Sequence, residues 1–232
     1  LFSMAKTLPP IGVVKADAYG HGLAPVAGML VQAGCRTLAV GSMDEGVLLR
    51  KVLSGNGSEN VTIIPLLGVL SPRDAASAVA PNPVPVVNSA DSAGFVSQAW
   101  TGTSPLPVAV KVETGMSRFG VREYEREQFI AALRSFANLR PDLLLSHLAA
   151  ADDPAKDGTV TAQVERFMAA YAAFREFWPD ITVSLANSAG FLAWRLYPSD
   201  AAGGEESVDM GGRRLSKKKT IMAWLLIVQP CQ

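Results

Sequence analysis

The sequence is poor in several features, and each shortage excludes a class of protein. Its 232 residues include two cysteines, Cys35 and Cys231, which are too few for a disulfide framework and indicate a reducing, cytoplasmic setting. The longest uninterrupted apolar run, 221–228, is far shorter than the roughly 20 residues that a membrane-spanning helix needs. The first residues do not show the charged and apolar stretches of a secretory leader. The formal net charge is zero, so total charge favours neither nucleic acid nor membrane as a partner.

What is present is a globular composition with an uneven distribution of charge. Apolar residues make up 49% of the chain, which is enough to bury a sizeable core and excludes disorder as the main state. Residues 1–210 carry 16 basic and 21 acidic side chains, a net charge of −5, whereas residues 211–232 carry five basic side chains and no acidic ones. We therefore expect a folded domain over residues 1–210 and a foreign basic and apolar tail over residues 211–232. An ordinary basic linker with a short closing strand is the alternative.

Short β-branched or Leu-rich runs alternate with amphipathic stretches, which is typical of βα units that build a parallel sheet. The predicted strands are Ile11–Lys15, Thr37–Gly41, Val61–Leu67, Val84–Val87, Val108–Val112, Leu143–Ser146 and Ile181–Leu185. Apolar residues at helical spacing predict helices around 129–137 and 160–174. Seven units without a reversal predict an α/β fold, an incomplete (β/α)8 TIM-type barrel, rather than a doubly wound sheet. We expect the eighth strand to be cut short at Ser207–Met210 and the chain to be truncated at both ends.

Polar residues at strand ends are candidates for a site, because function in a βα barrel lies at the carboxyl ends of its strands. Lys15 ends the first predicted strand, where an amine shielded from water is a candidate Schiff-base nucleophile. A salt-bridged structural lysine is the alternative there. Lys111 lies in the fifth strand and Arg118 follows it, and an ion-pair network around Glu113 is the alternative at this second place.

Two further strand ends carry polar residues. His147 follows the sixth strand, although a lone histidine is more often a satisfied core residue than a ligand or base. Asn187 and Ser188 follow the seventh strand at the start of a predicted helix, which makes an anion site or a plain N-cap. A lysine that can form an imine, a histidine with a flat ring and an anion site, all at the strand ends of one barrel, together suggest pyridoxal phosphate (PLP).

The motifs resemble those of one known family, the alanine racemases. Residues 14–22 read VKADAYGHG, which is similar to the cofactor-lysine signature of that family. The segments KVETGMSRFG at 111–120, SHLA at 146–149 and ANSA at 186–189 resemble its later motifs in the same order. The resemblance implies a PLP-binding barrel followed by a β-rich domain, which is absent here. It also implies a homodimer that interconverts L- and D-alanine for cell-wall precursor supply, with no nucleic acid or membrane as partner.

The resemblance also implies a role for each candidate residue. Lys15 would bind PLP covalently and then act as base on one face of the substrate α-carbon. Lys111 would carry a carbamate that pairs with Arg118, and Arg118 would steer the cofactor's phenolic oxygen and the substrate carboxylate. The cofactor-binding residues that complete the set are Tyr19 and Ser188 at the phosphate, Asn187 beside Ser188, and His147 against the pyridine ring. No metal is implied.

The sequence departs from the family pattern in three places. Gly211-Gly212-Arg213-Arg214 stands where the family has an arginine and a glycine directly after Asp209-Met210. Ser184 stands where the family has a histidine that supports that arginine. The β-rich domain, with the tyrosine that serves as base on the opposite face, has no counterpart here. The departures predict weak PLP binding and impaired racemisation.

Two readings from other classes stay open on the residues alone. A single-domain PLP-binding barrel that stores the cofactor needs neither the second domain nor the opposite tyrosine. A Schiff-base aldolase that acts on a phosphorylated sugar needs only a lysine and a phosphate site.

Overall fold

The fold alternates strands and helices, as the sequence predicts. A computed structural model describes residues 10–54, 58–78, 84–190, 207–208 and 214–215. The parallel strands are β1 Gly12–Val13, β2 Thr37–Val40, β3 Thr62–Pro65, β4 Val86–Val87, β5 Leu106–Lys111, β6 Leu139–Leu145 and β7 Thr182–Ser184. The helices are α1 Lys15–Gly20, α2 Leu23–Gln32, α3 Met43–Leu53, α4 Pro72–Ala78, α5 Ala90–Ala99, α6 Arg126–Ser135 and α7 Asp157–Arg175. Each of the seven predicted strands and both predicted helices therefore has a counterpart.

The chain divides into two compact units. Unit 1 comprises residues 1–111 and 125–142, and unit 2 comprises residues 112–124 and 143–232. In unit 1 the side chains of Leu38, Leu49 and Ile63 are fully buried between strand and helix. In unit 2 the fully buried side chains include Phe167 and Phe174, which face inward from α7. Burial of such side chains is the main force that holds each unit together.

The strands of unit 1 follow one another in chain order. β1 pairs with β2, β2 with β3 and β4 with β5, each time in parallel. The Val84 N–H donates to the Ile63 carbonyl at 2.8 Å and so joins the segments of β3 and β4. In unit 2 the end of β6 pairs with β7, also in parallel. A doubly wound sheet reverses its strand order at one point, and no such reversal occurs among the described pairs of β1–β3, of β4 with β5 or of β6 with β7.

Serine residues begin two of the helices of unit 1. The Ser42 hydroxyl accepts the N–H of Glu45 at the start of α3. At the start of α5, Ser89 and Ser92 accept each other's backbone N–H groups and form a capping box. These side chains satisfy N–H groups that a helix leaves without a partner in its first turn. They allow α3 to begin a few residues after β2, and α5 a few residues after β4.

The last described residues differ from the prediction. The strands β8 Ser207–Val208 and β9 Arg214–Leu215 pair in an antiparallel ladder. The expected first half of a parallel eighth strand at Ser207–Met210 therefore coincides with a hairpin strand in the described residues. The rest of the predicted tail lies outside them, as does the part after Gly190 of the helix predicted at Ser188–Leu196. No helix in the described residues is long and apolar enough to cross a membrane.

Candidate active site

The predicted site residues divide between the two units. Lys15, Tyr19 and Lys111 belong to unit 1, whereas Arg118, His147, Asn187 and Ser188 belong to unit 2. All of them lie at or just beyond the carboxyl end of a strand or in the loop that follows it. The carboxyl ends of strands are the places at which βα barrels carry their function.

Lys15 directly follows the strand that positions it. The preceding Val14 is buried, and its N–H donates to the Ala39 carbonyl at 2.8 Å, which continues the β1–β2 ladder by one residue. Lys15 itself is half-buried. Within the described residues it forms no ion pair, so the salt-bridged alternative for this lysine is not favoured.

The chain turns left-handed immediately after Lys15. Four consecutive non-glycine residues, 16–19, have φ between 50° and 58°, and Gly20 and Gly22 also have positive φ. An L-residue in this region places its β-carbon close to the following carbonyl oxygen, so runs of this kind are rare. The turn brings the ring of Tyr19 to 5.8 Å from the Lys15 Nζ. Tyr19 is 60% exposed, so its hydroxyl is accessible.

Two carboxylates fix the two ends of this turn. The Glu45 Oε1 accepts the Ala16 N–H at 3.0 Å, and the Asp17 Oδ1 accepts the Leu23 N–H at 2.6 Å at the start of α2. Within the turn, Ala18 N–H donates to the Val14 carbonyl at 3.0 Å. Hydrogen bonds to a charged acceptor are about twice as strong as neutral ones. The backbone around Lys15 is therefore held from both sides.

Lys111 lies at the end of β5 and is 7% exposed. Its Nζ donates to the Leu66 carbonyl at 3.0 Å, directly beyond β3. The next carbonyl, that of Leu67, accepts from the Asn88 side chain at 3.2 Å beyond β4. Side chains and carbonyls thus connect the carboxyl ends of β3, β4 and β5 in one polar edge. Lys111 is buried among these polar groups, and its amine, like that of Lys15, belongs to unit 1.

In unit 2 the loop that carries Arg118 curls around Glu113. The Glu113 Oε1 accepts the N–H groups of Gly115 at 2.6 Å and Ser117 at 2.7 Å. Burial acts to raise the pKa of Glu113, but the N–H groups of residues 115–117 and the charge of Arg166 outweigh it and lower the pKa below its ordinary value of 4.5. Glu113 therefore shapes the loop in its charged form, and Arg118 is exposed on that loop.

His147 is exposed beyond the end of β6, so the interpretation of this residue as part of the core is wrong. Its backbone is held by Gln163 of α7, which is fully buried. The Gln163 Nε2 donates to the His147 carbonyl at 3.0 Å, and its Oε1 accepts the Ala149 N–H at 2.9 Å. The same Nε2 lies 3.3 Å from the Thr114 Oγ1. One buried amide therefore joins the Arg118 loop to the segment that carries His147.

Asn187 and Ser188 stand at the start of a helical segment at 188–190. The Asn187 Oδ1 accepts the Gly190 N–H at 2.8 Å, and its Nδ2 donates to the Leu148 carbonyl at 3.1 Å. Asn187 is thus an N-cap that also ties β7 to the segment after β6. Ser188 is exposed in the first turn, where hydroxyl and N–H groups favour an anion.

Glu45 and Gln163 do not follow strand ends, so a search for polar residues at strand ends does not find them. The one signal for Gln163 in the sequence is that it is a polar residue beside the apolar positions of α7, whose buried side chains include Val160, Val164 and Phe167. Glu45 follows Ser42 by three residues, which is the spacing of a capping box. Neither pattern alone indicates which strand end the side chain reaches.

Comparisons with known proteins point to one family. A family model described as alanine racemase, N-terminal domain, matches residues 3–202. The alanine racemase of Lawsonia intracellularis is 40% identical over 191 residues, which are 81% of this chain and 49% of the relative. That of Nitratidesulfovibrio vulgaris strain DP4 is 41% identical over 186 residues, 79% of this chain and 48% of the relative. The chain spans about half the length of the curated relatives it matches.

Solved structures give the same result. The alanine racemase from Bartonella henselae with covalently bound pyridoxal phosphate has a TM-score of 0.69 at 29% identity, and the match covers 81% of this chain and 50% of that one. The alanine racemase from Corynebacterium glutamicum has a TM-score of 0.71 at 26% identity, over 82% of this chain and 52% of that one.

Proposed function

Since this chain belongs to the alanine racemase N-terminal domain family, we propose that it is the PLP-binding part of an enzyme that interconverts L- and D-alanine. The proposal includes use of D-alanine as a cell-wall precursor, a homodimer, and a cytoplasmic location, which the scarcity of cysteine supports. The observation that carries it is the half-buried Lys15, which follows the β1–β2 ladder and begins a left-handed turn that places the Tyr19 ring 5.8 Å from its Nζ.

Membership of the family confirms two predictions made from the motifs. The fold class is a TIM-type barrel, and the parallel βα units of the described residues agree with it. The cofactor of the family is PLP.

The donor groups of the described residues fit PLP. An aldehyde needs an accessible primary amine, and Lys15 supplies one in unit 1. A phosphate monoester needs O–H and N–H donors, which Tyr19 in unit 1 and Ser188 in unit 2 carry on accessible side chains. The flat face of a pyridine ring suits an exposed imidazole such as that of His147. We therefore assign these residues to the cofactor, with Asn187 holding the backbone beside Ser188.

The protein residues would bind, orient and move protons. When bound, PLP serves as an electron sink for the substrate α-carbon. Lys15 would bind the cofactor and then exchange a proton with one face of that carbon. Arg118 would orient the substrate carboxylate through its guanidinium. Lys111, as a carbamate, would carry a negative charge to pair with Arg118 and would keep one N–H, which is enough to donate to the Leu66 carbonyl as it does here.

Inversion at a carbon requires a proton donor and acceptor on each of its faces. Among the described residues Lys15 is the base that we assign, and it serves one face. We therefore propose that these 232 residues, tested alone, exchange the α-proton of alanine faster than they invert its configuration. Measurement of deuterium incorporation from D2O beside the conversion of L- to D-alanine separates the two rates.

Covalent labelling tests the cofactor assignment. The purified protein is mixed with PLP, reduced with borohydride, digested and mapped by mass spectrometry. We expect PLP to label Lys15 in the wild type and the label to be lost in K15R. The control K51R, which replaces an exposed lysine of α3, should keep the label on Lys15. Label on another residue, or a colourless protein with no label, refutes the assignment. Labelling of Lys15 without proton exchange favours a cofactor-storage barrel instead of a racemase.

A further inference from the structure

Glu45 lies in the first turn of α3, but its carboxylate accepts hydrogen bonds from outside that helix. Ser42 and Glu45 have the spacing of a capping box, in which the glutamate accepts the N–H of the N-cap residue. Here the Ser42 hydroxyl accepts the Glu45 N–H as expected. The Glu45 carboxylate, however, accepts the N–H of Gly41 at 2.6 Å and that of Ala16 at 3.0 Å. The side chain therefore links the end of β2 to the residue directly after Lys15.

We infer that Glu45 is a positioning residue for Lys15, an inference that rests on the proposed function of that lysine. Ala16 is the first of the four left-handed residues, so the direction of its N–H determines how the chain leaves Lys15. A hydrogen bond to that N–H from a neighbouring helix fixes the peptide between Lys15 and Ala16. The orientation of the Lys15 Cα–Cβ bond follows from that peptide.

The local packing agrees with this role. A β-carbon added at Gly41 would lie 3.0 Å from the Glu45 Oε2 and 3.7 Å from the Lys15 Cβ. A side chain at residue 41 would therefore crowd the Glu45 carboxylate, while its contact with the stem of Lys15 would be an ordinary one. Glu45, Gly41 and Lys15 form one packed group in unit 1.

The chemistry of the acceptors explains why the residue is a carboxylate. Both partners are N–H donors, and an ionised carboxylate offers an acceptor oxygen to each. An amide of the same shape offers one oxygen and one NH2 group, so one of the two N–H groups would face another donor. E45Q thus keeps the volume of the side chain and removes one hydrogen bond, and E45D shortens the side chain so that it cannot span both partners.

The experiment compares wild type, E45Q and E45D with the control S92A. Ser92 also accepts two backbone N–H groups, those of Asn88 and Ser89, at the start of another helix of unit 1. The first measurement is amide hydrogen exchange by NMR without PLP. We expect the Ala16 or Gly41 amide to exchange roughly tenfold faster or more in E45Q, and both in E45D. S92A should leave both amides unchanged.

The second measurement is the rate at which PLP labels Lys15, trapped by borohydride at successive times. We expect E45Q and E45D to slow labelling roughly tenfold, because a small misplacement of a reacting group has effects of this size or larger. S92A, with its urea midpoint measured alongside, should label at the wild-type rate. E45Q that labels at the wild-type rate with unchanged Ala16 and Gly41 exchange overturns the inference.

The two measurements separate this inference from the proposed function. If wild type does not label at Lys15, the proposed function fails, and the inference fails with it even if the amide exchange changes as expected. If wild type labels and S92A slows labelling as much as E45Q does, loss of stability explains the effect and the positioning role is refuted. The positioning role is supported if amide exchange is faster and labelling is slower in E45Q and E45D but not in S92A.

Discussion

Replacement of Gln163 by leucine is expected to destabilise unit 2, because its amide is the fully buried polar group that joins two loop segments. Leucine has a similar volume and fills the same buried space with an apolar side chain, so the change removes hydrogen bonds rather than packing. The Ala149 N–H loses its acceptor at 2.9 Å, and the Gln163 donation to the His147 carbonyl at 3.0 Å disappears. The contact with Thr114 at 3.3 Å is longer and contributes less.

The size of the effect follows from these two bonds. A hydrogen bond contributes about 0.5–1.5 kcal/mol net, and Q163L removes two of them. We therefore expect the free energy of unfolding to fall by about 2 kcal/mol in Q163L. This is a large fraction of the roughly 5–15 kcal/mol that stabilises a typical domain. Gln128 of α6 is exposed, so Q128L should change stability by about 0.5 kcal/mol or less.

Urea unfolding monitored by circular dichroism measures the difference. With a slope of about 2–3 kcal/mol per molar urea, a loss of about 2 kcal/mol lowers the midpoint by roughly 0.7–1 M. Amide exchange at Ala149 should accelerate in Q163L and not in Q128L. A Q163L midpoint equal to that of Q128L, with the same slope, would show that the buried amide contributes no net stability and would refute the reasoning.

Two further predictions concern the loop that carries Arg118. Because the folded-state pKa of Glu113 lies below its ordinary value of 4.5, its charged form adds stability that is complete well above pH 4.5 and is lost as pH falls through the folded-state pKa. The wild type should therefore exceed E113Q in urea midpoint at pH 7, and the gap should shrink at pH 3.5; a gap that does not change with pH contradicts this. A β-carbon at Gly120, whose φ is +138°, would lie 2.6 Å from the backbone of Glu113 and Val112. G120A should therefore lower Tm by several degrees, whereas G158A, with open space in α7, should keep or raise it.

The existence of the strands was predictable, and their ends were not. Runs of β-branched residues placed all seven parallel strands, because each must be apolar where helices cover the sheet. The first strand is shorter than predicted, since the chain turns left-handed directly after Lys15. The sixth strand is longer than predicted and begins at Leu139. Its first residues alternate between buried Leu139 and Pro141 and the exposed Arg140, which pairs with Asp142, and these two charged residues hid the alternation in the sequence.

The candidate site was predictable to the extent that its residues follow strand ends. Lys15, Lys111 and His147 met that rule, and Asn187 proved to be an N-cap as its position allows. Gln163 and Glu45, which bind the backbone near these residues from elsewhere in the chain, do not follow strand ends. Gln163 reaches Ala149 across 14 positions and Glu45 reaches Ala16 across 29. Such partners depend on which helix packs behind which strand, and short-range sequence patterns do not encode that.

The left-handed turn after Lys15 shows why those distant residues matter. Four such residues at about 1–2 kcal/mol each would be unfavourable in isolation. Charge-assisted hydrogen bonds contribute about 1.5–3 kcal/mol each, and the turn has two, in which the Ala16 N–H donates to Glu45 and the Leu23 N–H donates to Asp17. Together with the backbone bonds of Ala18 and Gly22, they are of the size needed to offset the strain. The backbone at Lys15 is therefore held from both sides, by the β1–β2 ladder, which ends at Val14, and by the side chains around the turn.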